Sequence, residues 1–193
     1  MGRPKSYDRD DVLAKAMELF WAKGFEGTHL AELVSVTGVN RFGLYSEFGG
    51  KEGLFQSALE LYLREALSEY HRSLEVQPFG LENIRSYFRS MTYGKSYRGC
   101  FLINTLTEKH IVAEAAFRAA ADVLLEVDAL FLRNLQAAQA DGTIPPDKNV
   151  KILASLLSTL DSGLAIRGIV SPDEAAKNDL VEEAIGLLAG AAR

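Results

Sequence analysis

THLAELVSVTGVNRFGLYSEFGGK, residues 28 to 51, contains two short amphipathic segments on either side of a glycine. Thr28 is a favourable N-cap, and the apolar residues that follow it recur on one side of a short helix. Thr37 and Gly38 end that helix, because glycine tolerates the left-handed conformation in which the chain turns. Asn40 can cap a second short helix. Two short helices joined by a tight glycine turn predict a helix-turn-helix.

The second helix of this pair is predicted to carry a polar, basic and aromatic outer side. Val39 and Leu44 point back toward the first helix. The residues left facing outward are Asn40, Arg41, Phe42, Gly43 and Tyr45. Such a surface suits the major groove of DNA. A glycine between two amphipathic helices also occurs in proteins that bind no nucleic acid, so a helical adaptor that binds small ligands is the alternative.

The amino-acid sequence of this segment resembles that of a known family. GVNRFGLYSEFGGKEGLF, residues 38 to 55, resembles the signature of the TetR family of transcriptional repressors, and AMELFWAKGFEGTHLAEL, residues 16 to 33, looks like that family's first helix and entry turn. The match covers about the first quarter of the chain. It implies a ligand-responsive repressor that binds a palindromic operator as a homodimer and is released by a small molecule.

The resemblance also implies roles for residues in the head. Tyr45 is expected to donate a hydrogen bond from its hydroxyl to a DNA phosphate, and Lys51 adds a positive charge where the next helix begins. Thr28 completes the predicted DNA-binding set. Phe42 departs from the family pattern, which commonly has a small residue there, and both a thymine methyl and a sugar are open as its contact. Arg3 and Lys5 form a basic arm that is either a minor-groove contact or a solvated terminus.

Composition limits the classes of protein that fit. The chain has 193 residues, of which 48% are hydrophobic and 24% charged, as in a soluble globular protein. No apolar run approaches the roughly 18 residues of a membrane span, and the N-terminus lacks the apolar core of a signal peptide, so we expect a cytoplasmic protein without a membrane partner. The net charge of -5 is unlike that of proteins that bind DNA through bulk positive charge, but it does not argue against DNA binding.

The sequence offers no catalytic or metal-binding pattern. A single cysteine cannot form an internal disulfide, and three scattered histidines give no metal-ligand spacing. The sequence contains no phosphate-binding glycine loop, no GxSxG motif and no paired carboxylates flanked by turn residues. We therefore predict no enzyme activity, no metal and no cofactor.

Hydrophobic periodicity and turn signals predict an all-α protein of about nine helices: an N-terminal helix-turn-helix head of three helices and a C-terminal helical bundle for ligand binding and dimerisation. The predicted helices run over about residues 8–23, 28–37, 40–48, 51–76, 81–93, 100–110, 113–141, 147–170 and 172–192. Residues 1–51 form the predicted DNA-binding domain, and residues 52–193 the predicted ligand-binding and dimerisation domain. Residues 1–51 hold seven Lys/Arg and seven Asp/Glu, so the negative excess lies in the second part.

The last two predicted helices are apolar on more than one side, which is too much for one buried stripe of a surface helix. Two helices from each subunit in a four-helix dimer interface account for this pattern, and a helix-turn-helix usually needs two half-sites. The alternative is that both helices bury their second face inside the monomer. The residues predicted at the interface are Leu153, Leu156, Leu157, Leu160, Leu164, Leu180, Ala184, Leu187 and Leu188.

A largely apolar cavity with a few polar groups is predicted in the second part, as is usual for a small-ligand site, although ordinary core is the alternative. The residues predicted to line it are Leu67, Tyr70, Tyr87, Phe88, Met91, Cys100, Phe101, Asn104, Glu108 and Phe117. Cys100 follows a loop with the cations Lys95 and Arg98 and begins a helix, where the dipole stabilises a thiolate. A buried small hydrophobe is its other interpretation. Some electrophile-sensing and oxidant-sensing family members have a similar start to this helix, so the predicted inducer is a small apolar or an electrophilic molecule.

Overall fold

The computed structural model describes residues 7–94 and 96–190, without the side chains of Ala66, Glu69 and Tyr70. Over these residues the chain forms ten α-helices and no strand, which confirms the all-α prediction. The helices are α1 (Arg9–Lys23), α2 (Leu30–Thr37), α3 (Arg41–Phe48), α4 (Lys51–Tyr62), α5 (Ser68–Glu75), α6 (Leu81–Ser90), α7 (Phe101–Thr107), α8 (Glu114–Ala140), α9 (Val150–Val170) and α10 (Glu174–Ala189). The basic arm with Arg3 and Lys5 lies outside the described residues.

The difference between nine predicted and ten observed helices arises at one place. The segment predicted as a single helix from Lys51 to Val76 is divided by a π-helical turn, Leu63–Leu67, between α4 and α5. A π turn inserts one residue into the helical ladder, and such turns are frequent at functional sites. Hydrophobic periodicity is too coarse to show a single inserted residue.

Contacts divide the chain into two compact units. The first unit runs to Ala66 and also includes Cys100–Ala121, so it combines α1 to α4 with α7 and the start of α8. The second unit comprises Leu67–Gly99 and the chain from Asp122 onward, with α5, α6, most of α8, α9 and α10. The predicted division at residue 51 concerns DNA binding rather than compactness and stays a prediction.

The first unit is built around aromatic side chains. Asp8 caps α1 by accepting from the Asp10 backbone N–H at 2.9 Å, and the apolar stripe of α1 is buried. Phe20 meets Phe55 edge-on at 5.0 Å between ring centres, and Phe55 meets Phe101 of α7 in the same way at 5.4 Å. Aromatic pairs of this geometry stabilise a core beyond the area they bury. They fix α7 against the helices of the head.

The second unit has a separate apolar core contributed by α5, α6, α8, α9 and α10. Asn134 of α8 is fully buried within it, and its side chain is satisfied. Its amide donates to the carbonyls of Leu74 and Leu130, and its Oδ1 accepts from the Gly80 N–H and from Asn83. These bonds hold the turn between α5 and α6 in place, since a buried amide left unpaired is costly.

Among the described residues, α9 is the one helix long and apolar enough to cross a membrane by length and composition alone. Core helices of soluble proteins meet the same criterion. Leu157 and Leu164 of α9 pack into the core of the second unit, and the helix also carries Asp161 and Arg167. The expectation of a chain without a membrane span therefore stays a prediction.

Candidate nucleic-acid interface and ligand site

The turn between α2 and α3 is set by local hydrogen bonds. Gly38 has φ 71°, and its N–H donates to the Val34 carbonyl at 3.0 Å, which ends α2. Thr37 donates its hydroxyl to the Leu33 carbonyl and accepts from the Val39 N–H. Because the left-handed conformation favours glycine, Gly38 is the residue that allows so sharp a change of direction. The predicted helix-turn-helix is thus present.

α3 begins at a side-chain cap. Asn40 Oδ1 accepts from the Gly43 N–H at 2.8 Å, which satisfies one of the free donors of the first turn. Val39, Leu44 and Phe48 are buried, so the inner side of α3 belongs to the core. The core interpretation of Phe48 therefore holds.

The outer side of α3 is open. Asn40 and Arg41 are exposed, Phe42 has 82% of its surface accessible and Tyr45 49%. The Arg41 guanidinium carbon lies 5.6 Å from the centre of the Tyr45 ring, a cation–π distance. The residues predicted to face outward on this helix thus form one continuous surface, although their contacts with DNA stay a prediction.

Gly43 is half-buried on this helix and serves packing as well as access. A β-carbon built on Gly43 would lie 2.7 Å from Cγ1 of Val39. Any larger residue would therefore push α3 away from the turn that precedes it. The absence of a side chain is explained by the packing inside the head, before any DNA is considered.

Thr28 was predicted to cap α2 and to contact DNA, and both predictions are wrong. Its side chain is fully buried, and its hydroxyl donates to the Gly24 carbonyl at 2.7 Å. The N-cap of α2 is the next residue, His29, whose backbone N–H donates to the Glu32 carboxylate at 3.0 Å. Thr28 closes the turn between α1 and α2 and has no surface left for a phosphate.

Lys51 lies at the first position of α4 and is half-buried. Its Nζ stands 4.2 Å from the ring centre of Phe25. Desolvation lowers the pKa of Lys51, and the nearby carboxylates of Glu108 and Glu26 act in the opposite direction. The cation is held by the head itself, and its contact with phosphate stays a prediction.

Glu108 has a structural role that the sequence did not indicate. Its carboxylate accepts from the backbone N–H of Phe25 at 2.8 Å and from that of Glu26 at 3.2 Å. These two donors follow the C-terminus of α1, so the end of α7 is tied to the turn between α1 and α2. The partners are more than eighty positions apart in the chain, and no local pattern could have linked them.

The residues predicted to line a ligand cavity do not all lie in one unit. Those of the first unit are Cys100, Phe101, Asn104, Glu108 and Phe117, and those of the second unit are Leu67, Tyr87, Phe88 and Met91. The side chain of Tyr70 lies outside the described part of the chain. Cys100 is half-buried, and the Tyr62 hydroxyl donates to its Sγ at 3.4 Å. Tyr87 and Phe88 belong to the apolar core of the second unit.

The residues predicted at a dimer interface also divide. Three of them, Leu157, Leu164 and Leu188, are buried inside their own subunit, so placing them at the interface was wrong. Leu156, Leu180 and Leu187 are exposed, and Leu153, Leu160 and Ala184 are half-buried. The sequence showed that α9 and α10 are apolar on two sides, but it did not show which side the subunit itself uses.

Family models match most of the chain. Residues 12–58 match the bacterial regulatory proteins of the tetR family, and residues 81–183 match the tetracyclin repressor-like C-terminal domain. The chain belongs to the TetR family. The second model alone covers more than half of the sequence, and the first spans the helix-turn-helix described above.

Individual relatives agree with this membership. The HTH-type transcriptional repressor ComR of Escherichia coli (strain K12) is 36% identical over 174 residues, covering 86% of this chain and 81% of ComR. The HTH-type transcriptional regulator YezE of Bacillus subtilis (strain 168) is 29% identical, covering 97% and 100% of the two chains. A cysteine mutant of the TetR-family regulator CifR, solved with 26-bp double-strand operator DNA, superposes with a TM-score of 0.82 at 30% identity and covers 95% of this chain and 98% of its own.

TetR-family membership confirms the predicted class of function. The chain is a DNA-binding transcriptional regulator, and its family is one of regulators rather than enzymes.

Proposed function

We propose that the chain is a ligand-responsive transcriptional repressor that binds a palindromic operator as a homodimer, in the cytoplasm or nucleoid where the DNA lies. The outward surface of α3 carries the proposal: it exposes hydrogen-bonding, cationic and aromatic groups, whereas the inner side of the same helix is buried. Recognition helices of helix-turn-helix proteins read base edges in the major groove with such a surface. ComR, a repressor by name, and CifR, solved with operator DNA, support the same function.

Each exposed group on α3 has a contact that suits its chemistry. Arg41 can donate two hydrogen bonds to guanine, and Asn40 is exposed at the N-terminal end that enters the groove first. Tyr45 presents its hydroxyl and Lys51 its ammonium to phosphates, which fixes register without reading sequence. Phe42 is exposed and can therefore reach DNA. Its side chain can make only apolar contacts there, with a thymine methyl or a sugar.

The dimer is supported by apolar side chains that the subunit leaves uncovered. On α9, Ile152 and Leu156 are 65% and 53% exposed and lie one turn apart. On α10, Leu180 and Leu187 are 43% and 65% exposed, and Ala184 lies between them on the same side. Apolar side chains left in water do not stabilise an isolated subunit, and contiguous exposed apolar patches often mark protein interfaces. Two copies of this surface make a self-complementary interface with two-fold symmetry.

Release from DNA is proposed to follow a population shift. A small molecule that binds one arrangement of the helices better than the other favours that arrangement and lowers operator affinity. The sequence predicts an apolar or an electrophilic molecule. Modification of Cys100 Sγ by an electrophile removes the contact with the Tyr62 hydroxyl, and Cys100→Ser then represses normally without responding to the electrophile.

The function is tested by an electrophoretic shift with the DNA upstream of the chain's own gene. We expect a shift that unlabelled copies of that fragment abolish and unlabelled random DNA of the same length does not. Two symmetric protected segments about one or two helical turns apart are expected in footprinting, since the two recognition helices of a dimer enter successive grooves. Equal affinity for both DNAs, or no shift, contradicts the proposal.

A further inference from the structure

Asp161 lies in the middle of α9, inside the second unit. Its Oδ1 is enclosed and has no hydrogen-bond partner. The Tyr87 hydroxyl of α6 hydrogen-bonds to the carboxylate, and desolvation raises the pKa of Asp161 to about 6. The carboxylate is thus mostly ionised at neutral pH, with one hydrogen-bond donor beside it.

Nothing charged in the described part of this unit compensates for the carboxylate. Burial lowers the pKa of His71, which keeps its ring neutral at pH 7, and that ring lies 6.3 Å from the ring of Tyr87. The hydroxyl of Tyr93 already donates to the Leu164 carbonyl at 2.8 Å. No cation of the described residues contributes to the pKa of Asp161.

Lys177 of α10 is a second buried charged residue in this unit, and its hydrogen bonds differ from those of Asp161. Its ammonium donates to the carbonyls of Phe88 and Met91 and lies 3.0 Å from the Glu174 carboxylate. Buried charges are normally paired and hydrogen-bonded in this way. Lys177 is satisfied by the fold itself, whereas the carboxylate of Asp161 is not.

The Tyr87 side chain that hydrogen-bonds to Asp161 belongs to an aromatic cluster. Tyr87 meets Phe88 edge-on at 5.3 Å and Phe131 at 5.2 Å, and Met91 packs against the same core. The Asp161 side chain as a whole retains accessible surface, although Oδ1 does not.

We propose that Asp161 and Tyr87 form the polar end of the inducer site in the second unit, and that the inducer is a small apolar molecule carrying an ammonium group. The inference rests on the proposed ligand-responsive function. An ammonium supplies the missing donor and the missing opposite charge together, and a neutral hydroxyl supplies only the donor. Aromatic rings beside a desolvated cation stabilise it further, and Phe88 and Phe131 both pack against the ring of Tyr87.

The probes are a series of phenylalkyl and n-alkyl primary amines, each paired with the alcohol of the same carbon skeleton. Binding is measured by calorimetry and by the shift in Tm of the full chain, and release from operator DNA is measured on the same samples. We expect at least one amine to bind the wild-type chain about tenfold or more tighter than its alcohol and to lower operator affinity. If no amine exceeds its matched alcohol, the inference is overturned.

Asp161→Asn removes the charge and nearly preserves the shape, and it should abolish the preference for the amine while alcohol binding persists. Asp161→Ala is the second variant, in case the buried amide hinders folding. Asp128→Asn is the matched control, because Asp128 of α8 also has an enclosed Oδ1 without a partner, and it should bind the amine as the wild type does. Unchanged amine binding in both Asp161 variants overturns the inference.

Operator binding by the untreated wild-type chain distinguishes failure of the Asp161 assignment from failure of the proposed repressor function. If the chain binds its operator and no amine is preferred, the assignment of Asp161 fails and the proposed repressor stands. If the chain binds no operator at all, the proposed function itself fails.

Discussion

Arg41 is the residue on which the proposed base reading by α3 depends. It is the one cation on the recognition helix, and its guanidinium is placed against the exposed Tyr45 ring. We expect Arg41→Ala to lose about 1 to 3 kcal/mol of specific binding and to relax the preference at one base pair per half-site. Lys51→Ala should instead weaken binding to all sequences alike, because a phosphate contact carries no sequence information.

These outcomes are measured by selecting bound sequences from a random pool and by titrating one fixed operator. Arg118→Ala is the control, since Arg118 is an exposed arginine of α8 that pairs with Glu114 at 2.8 Å and lies outside the helix-turn-helix. An unchanged sequence profile for Arg41→Ala would mean that another surface reads the bases.

Gly53 governs how closely α4 approaches α3. A β-carbon at this position would lie 1.6 Å from the carbonyl oxygen of Phe48, and a backbone atom cannot step aside as a flexible side chain can. We expect Gly53→Ala to lower the free energy of unfolding by about 1 to 3 kcal/mol and to weaken operator binding with it. Gly186→Ala in α10 is the control: its β-carbon would meet nothing within 4 Å, so helix propensity should make it neutral or stabilising by up to about 1 kcal/mol. Urea denaturation measures both, and equal effects of the two substitutions would contradict the close approach.

Asp161 makes stability depend on pH in a predictable direction. Its pKa is about 6 in the folded chain, against 3.8 for an ordinary aspartate, so the folded state favours the protonated form. The destabilisation is fully present above about pH 6, diminishes as the pH falls and is absent below the unfolded pKa. Asp161→Asn should therefore raise the free energy of unfolding by about 1 to 3 kcal/mol at pH 7.5 and by less at pH 5. Urea denaturation at both pH values measures this, and a difference that did not change with pH would contradict the raised pKa.

At the level of single residues, sequence reasoning succeeded where the role is local. The cap at Asn40 and the turn at Gly38 follow from residue type and spacing, and both are present. The prediction that Thr28 caps α2 failed because two adjacent residues can each serve as the N-cap. Thr28 is buried, and His29 takes the N-cap position. Glu108 could not be predicted, because its partners lie in a turn far away in the sequence.

The helix α7 is connected to the DNA-binding head through Glu108. The Glu108 carboxylate accepts hydrogen bonds from the N–H groups of Phe25 and Glu26, and both groups lose this acceptor if the side chain is removed. We expect Glu108→Ala to cost about 1 to 3 kcal/mol of stability and to reduce operator affinity, and Glu108→Gln to cost less because one acceptor oxygen remains. Thermal unfolding and DNA titration measure the two effects. Glu114→Ala, on an exposed carboxylate at the start of α8, should change stability by less than about 0.5 kcal/mol, and a similar loss in both variants would remove the special role of Glu108.

Periodicity predicted most helices but not their faces. α9 and α10 carry apolar residues on more than one side, and no period distinguishes a side that packs against the subunit from one left uncovered. The structure makes that distinction, since Leu157 and Leu164 are buried while Leu156 is half exposed. Which of two apolar sides is buried depends on the tertiary position of α6 and α8, and that position is not encoded in the helix itself.

For the whole molecule, the proposed affinity for an operator depends on two subunits acting together. One α3 helix reads one half-site, and a two-fold dimer presents two such helices at a fixed spacing. The uncovered residues Ile152 and Leu156 of α9 and Leu180 and Leu187 of α10 are the apolar surface available for this association. The sequence predicted α9 and α10 for this association, which stays a proposal, and the structure reduces the nine candidate residues to those that are not buried in their own subunit.

Dimerisation is tested by placing a charge on that surface. Leu156→Asp and Leu187→Asp leave the carboxylate in water in a monomer but force it against apolar side chains in a dimer, so association should weaken about a hundredfold or more. Sedimentation should then show folded monomers, with an unchanged helical circular-dichroism spectrum and lost operator binding. Leu188→Asp differs in kind, because Leu188 is only 5% exposed and the charge would be buried in the subunit's own core, so this variant should unfold. Leu125→Asp is the matched control, a leucine that is 64% exposed on α8, and it should remain a dimer. If Leu156→Asp and Leu187→Asp both sediment as dimers that bind the operator, the two recognition helices must be paired through a different surface, and the exposed stripes of α9 and α10 are then not what joins the subunits.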